Sequence, residues 1–134
     1  MRRIALIAAV LVTAGCGSGD IVAKPVTSSV PSSDVTASIQ ADAGIPPKPD
    51  PATQAKFIAA LNAIDTEIVN GKEEKAIDRA RNQCSSVKES PENQAELVDL
   101  TNQRFLSPEH PEGFGKATAT KILKAVRTHI CPAW

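Results

Sequence analysis

Apolar and polar positions follow three different rules along this chain. Ile4 to Val12 is an unbroken run of nine apolar residues behind Met1-Arg2-Arg3. Gly17 to Asp50 holds scattered large apolar side chains (Ile21, Val22, Val26, Val30, Val35, Ile39 and Ile45) that follow neither a helical nor a strand period. From Pro51 onward apolar residues return every three or four positions, the mark of amphipathic helices. No alternating stretch exceeds three or four residues, so strands are not expected.

The helical pattern resolves into four main segments. Asp50 suits an N-cap and Pro51 the first helical position, where a missing N–H costs nothing. Phe57, Ile58, Leu61, Ile64 and Ile68 then share one arc, with Asp65 placed to cap a second short helix and Asn70-Gly71 to close the segment. A second helix over about Lys72 to Val87 has Glu73 and Glu74 in its first turn and Lys88 at its end, as the helix dipole favours. Its apolar arc is Ala76, Ile77, Ala80, Cys84 and Val87. Ser90-Pro91 repeats the cap-and-proline signal and predicts a third helix to about Leu106, with Leu97, Val98, Leu100, Thr101 and Phe105 inward. Ser107 to Gly115 reads as a loop. A fourth helix spans about Lys116 to Ile130, with Ala119, Ile122, Leu123, Val126 and Ile130 inward and Pro132 stopping it.

The fold class expected is therefore all-α, a small four-to-five-helix array over residues 51–134 closed by one disulfide. Residues 16–50 precede it as a flexible linker rich in Pro, Ser and Thr, whose composition cannot offset the entropy of ordering it. Pro46-Pro47-Lys48-Pro49 should be extended and stiff. A domain of this size has a marginal core and commonly needs a covalent staple.

Composition narrows the function classes. The 134 residues include 15 basic and 15 acidic side chains, and zero net charge speaks against nucleic-acid binding. Phe57, Phe105, Phe114 and Trp134 are the whole aromatic set, too few for a base-stacking platform. There is no Gly-rich phosphate loop and no recognisable Ser, His and Asp constellation, so an enzyme is not expected.

The amino terminus reads as an address. The apolar run is too short to span a bilayer, which takes about 20 residues, and suits the core of a signal peptide over residues 1–15. Val12-Thr13-Ala14-Gly15-Cys16 resembles the lipobox of bacterial lipoproteins. That resemblance implies a diacylglyceryl group on Cys16, cleavage before it and anchoring at the outer face of the cell membrane. Two acyl chains make a stable anchor where one is marginal.

Lipidation of Cys16 leaves Cys84 and Cys131 in an oxidising compartment. A disulfide between them would close a loop of roughly fifty residues, worth about 4 kcal/mol in the chain-entropy description. A redox pair lacks its C-x-x-C, and a zinc site lacks ligands, since only His110 and His129 accompany the two thiols.

Among other candidates, Lys116, Lys121, Lys124 and Arg127 occupy the outward arc of the fourth helix. They form a solvated face or a surface for an anionic envelope polymer, lipid headgroups or a protein partner. Arg104 falls inside the apolar arc of the third helix and must snorkel, meet a partner, or form a buried ion pair with Asp78 or Asp99. Glu109, His110 and Glu112 sit together in a loop, where solvation is the commoner reading and metal binding the alternative. His129 lies where the helix dipole favours a cation, and Trp134 suits a lid over the helix ends beside the cysteines.

Phe57-Ile58-x-x-Leu61, Arg79-x-Arg81-Asn82-Gln83-Cys84, Arg104-Phe105 and His129-Ile130-Cys131-Pro132 together resemble the DUF 732 group, a domain of unknown function in small exported actinobacterial proteins. The resemblance covers roughly residues 51–132. It implies an exported helical domain closed by Cys84 and Cys131, without catalytic residues. The resulting expectation is a membrane-anchored, non-enzymatic binding module of the cell envelope that needs no cofactor or metal. A carrier of a small ligand such as a lipid or haem, held between helices, is the alternative.

Overall fold

The computed structural model describes residues 33–134. They form α1 (Ser33–Asp42), α2 (Pro51–Ile64), a 3-10 turn (Thr66–Ile68), α3 (Glu73–Glu89), α4 (Gln94–Arg104) and α5 (Lys116–His129), with no strand among the described residues. The signal segment, Cys16 and the linker up to residue 32 lie outside the described residues.

Local chemistry explains the element ends. One carboxylate oxygen of Asp50 accepts from the N–H groups of Ala52 (3.0 Å) and Thr53 (3.1 Å), and the other from the Thr53 hydroxyl (2.6 Å). These bonds, the hydroxyl's first, hold the Asp50 carboxyl below its ordinary value. Asp65 ends α2 and opens the 3-10 turn, accepting from the Glu67 N–H at 2.9 Å. Asn70 (φ 47°) and Gly71 (φ 66°) both take left-handed conformations to reverse the chain into α3, which Asn and Gly do most readily.

Two sequence-based expectations need correction. The third of the expected helices, α4, begins at Gln94 rather than at Ser90-Pro91. Asn93 is its cap: its side chain accepts from the Glu96 N–H (3.4 Å) and donates to the Glu96 carboxylate (2.6 Å). That reciprocal pair satisfies the helix start better than Ser90, which instead accepts a turn bond from the Asn93 N–H at 3.1 Å.

The second difference concerns the linker, of which Ser33–Asp42 form a helix. α1 ends in a paired-bond stop in which Gly44 N–H donates to Ala41 C=O (3.0 Å) and Ile45 N–H to Gln40 C=O (2.8 Å). Gly44 takes φ 74° there, the conformation this motif favours. Residues 44–48 then lie as a strap along α3. Arg81 Nε donates to Pro46 C=O (2.9 Å) and Nη2 to Gln40 Oε1 (2.9 Å), while Lys48 pairs with Glu74. The α1 helix itself leaves Val35 and Ile39 exposed, so its apolar period is weak and the strap does the anchoring.

A Cβ at position 44 would stand 2.7 Å from Lys88 Cδ and 3.3 Å from Ser85 Cα. Gly44→Ala is therefore expected to destabilise the protein by about 1–2 kcal/mol, mostly from the left-handed backbone. Urea titration measures it, and an unchanged midpoint would mean the strap does not hold the fold.

In the helical array α3 and α5 pack against each other and against both α2 and α4. Phe57 and Leu61 from α2, Ile77 and Val87 from α3, Leu97 from α4, Phe105 after it, and Ile122, Leu123 and Val126 from α5 fill the centre with almost no exposed surface. The apolar arcs read from the sequence thus converge on one core. Leu100 is half-buried rather than enclosed.

Candidate functional site

The outward arc of α5 does not present four equivalent cations. Lys116 is tied to Asp99 at 3.0 Å. Arg127 is half-buried and its Nη2 donates to Pro91 C=O at 2.6 Å, pinning the α3–α4 turn, while its buried Nε has no hydrogen-bond partner. Lys121 and Lys124 remain exposed, and neither forms an ion pair among the described residues. They stand on a ridge between two shallow grooves. One, about 450 Å³, is lined by Gln94, Thr120, Leu123, Arg127 and Thr128 beside the two lysines. The other, about 370 Å³, is lined by Ala60, Ile64, Ala125, Thr128 and His129 beside the same pair.

Behind this face lie the cysteines. Cys84 on α3 and Cys131 after α5 are buried and approach to 2.6 Å. No bond joins them in the structure at that separation, since a disulfide spans about 2.05 Å. Mutual hydrogen bonding pushes the Cys84 thiol up, with burial adding to it. The same bond pulls Cys131 down, and the Arg127 charge helps. In the dithiol form Cys131 is accordingly the better thiolate and Cys84 the proton holder. Trp134 is 42% exposed, with the Lys88 ammonium 5.9 Å from its ring centre.

Arg104 meets neither of the carboxylates expected of it. Asp78 turns to Arg81 on its own helix (3.1 Å) and Asp99 to Lys116. Arg104 is half-buried and its Nη1 donates to Gln83 Oε1 and to Ser86 Oγ (3.0 Å). Gln83, fully buried, donates its amide to Leu97 C=O at 3.3 Å, and the buried Thr101 hydroxyl donates to the same carbonyl at 2.7 Å. Arg104 thus closes a neutral polar ladder between α3 and α4 instead of an ion pair. Burial lowers its guanidinium pKa, while the Glu89 charge opposes that shift.

The loop carrying Glu109, His110 and Glu112 is organised internally. The His110 ring lies 4.2 Å from that of Phe114. Asn102 donates to Glu112 C=O (3.0 Å) and accepts from Gly115 N–H (2.8 Å). His129 sits half-buried at the edge of the second groove, and neither histidine joins a group of three metal-ligating side chains among the described residues.

One site was missed at the sequence level. Between the 3-10 turn, the start of α3 and the segment after α4 lies a pocket of about 300 Å³, lined by Ile68, Val69, Lys72, Lys75, Arg79, Leu106 and Pro108, with Asn70 and Ser107 completing it. Its signal was present as Lys72-x-x-Lys75-x-x-x-Arg79, a spacing that puts three cations on one side of a helix. Only the fold supplies the apolar wall opposite them. Comparison with protein-family models, with curated proteins and with solved structures finds no match to this chain.

Proposed function

We propose that this chain is an exported lipoprotein, held at the outer face of the cell membrane by diacylglyceryl on Cys16, whose DUF 732-like helical domain is a non-enzymatic binding module of the cell envelope. The signal-peptide pattern of residues 1–15 and the lipobox-like Val12-Thr13-Ala14-Gly15-Cys16 support the address. Burial and mutual approach of Cys84 and Cys131 support a disulfide that closes the domain outside the cytosol.

The observation that carries the binding role is the pair of unpaired, exposed ammonium groups of Lys121 and Lys124 between two grooves. Cations without an internal partner, flanked by partly apolar depressions, suit an anionic envelope polymer. Lys116 and Arg127 are spent on Asp99 and Pro91 and contribute little to that surface.

The test uses the mature chain, residues 16–134, carrying Cys16→Ser, so that neither lipid nor signal segment retains it. It should sediment with isolated cell walls, and less so as salt screens the contact. Lys121→Glu with Lys124→Glu should abolish retention while the circular dichroism spectrum stays the same, because both side chains are exposed. Retention unchanged by the double reversal would remove this face from the proposal.

A further inference from the structure

The cationic pocket at the start of α3 is separate from the α5 face and does not depend on the reading of it. Lys72 and Lys75 are exposed and Arg79 half-buried, and none of the three forms an ion pair among the described residues. Burial depresses the Arg79 guanidinium, whose Nη1 donates to Leu106 C=O at 3.0 Å. Its other donors are not engaged by that bond, and a guanidinium pairs best with a planar carboxylate. Facing these cations are half-buried Leu106 and exposed Pro108, while Ile68 and Val69 close the floor and are themselves almost fully enclosed.

We propose that this pocket binds a small organic carboxylate bearing an apolar tail. The carboxylate lies against Arg79 with Lys72 and Lys75 at the rim, and the tail rests on Leu106 and Pro108. A bare inorganic anion would satisfy the cations and leave the apolar wall wet. A neutral apolar molecule would cover the wall and further desolvate the half-buried Arg79 guanidinium without supplying a counter-charge, which is unfavourable. A volume of about 300 Å³ stands at the small end of ligand sites, so the tail is short or only its first part is enclosed.

The mature Cys16→Ser chain, residues 16–134, is titrated with sodium octanoate, with octanol and with inorganic phosphate, followed by amide chemical shifts. Octanoate should bind saturably, with the shifts centred on Val69, Lys75, Arg79 and Leu106. Octanol and phosphate should each bind at least about tenfold more weakly, each lacking one half of the recognition. Lys72→Ala with Lys75→Ala, both at exposed positions, should weaken octanoate by about tenfold without shifting the core resonances. The proposal is overturned if octanol or phosphate binds as well as octanoate, if the double variant binds octanoate unchanged, or if octanoate shifts resonances elsewhere or none. The first comparison needs no variant, so it decides even where a substitution disturbs folding. Loss of this site would leave the cell-wall result at Lys121 and Lys124 untouched.

Discussion

Reducing the purified protein is expected to lower its unfolding free energy by about 4 kcal/mol. The proposed Cys84–Cys131 bond joins α3 to the residue just beyond α5 and closes a loop of roughly fifty residues, which contains the whole of α4. Removing that restraint frees the unfolded chain far more than it alters the folded one. For a domain near 100 residues the melting temperature should fall by more than about 15 °C. Cys84→Ala with Cys131→Ala should match the reduced protein to within about 1 kcal/mol, after allowing for two small voids in a well-packed region. The check is a thermal melt with and without reductant, paired with thiol titration of the unfolded, unreduced chain. Two reactive thiols in that unreduced chain, beyond Cys16, would show that no bond forms.

Replacing Arg104 by leucine should cost about 2–3 kcal/mol, although no charge partner is lost. Its guanidinium donates to Gln83 Oε1, which is fully buried, and to Ser86 Oγ, 7% exposed at residue level. Without it the Gln83 carbonyl stays buried in the α3–α4 interface and loses its donor. The opposite change, Gln83→Leu, should cost less, because half-buried Arg104 can turn its head group to solvent. Combining both should recover much of the Arg104→Leu loss, since removing both partners leaves no stranded group. The double-mutant cycle in urea therefore carries the prediction. Strictly additive costs would mean that the ladder is not cooperative and that Arg104 contributes only its packing.

Lys121 and Lys124 would have been hard to separate from Lys116 and Arg127 by their spacing, because all four share the outward arc of α5. The difference lies in what the neighbouring elements offer. Asp99 on α4 reaches Lys116, and the α3–α4 turn presents a carbonyl to Arg127. The same physics decides the partner of Arg104: its place in the sequence suggests a carboxylate, whereas the packing of α3 against α4 brings an amide and a hydroxyl. The strap of residues 44–48 escaped notice for a related reason. Pro46 and Gly44 carry the composition of a loose connector, and only contact with Arg81, Ser85 and Lys88 gives them a fixed path.

What the sequence by itself determined is the set of helices and their inward faces. Asp50 with Pro51 set the start of α2, Asp65 its end, and the arcs through Phe57, Ala80, Leu97 and Ile122 all turned inward. Caps act within four residues and amphipathic periods within two turns, so both can be read along the chain. Only the tertiary structure decided which cations are neutralised, where Arg104 donates, that residues 44–48 strap α3, and that Lys72, Lys75 and Arg79 face an apolar wall. Each of these depends on groups that are distant along the chain and meet only when the helices pack.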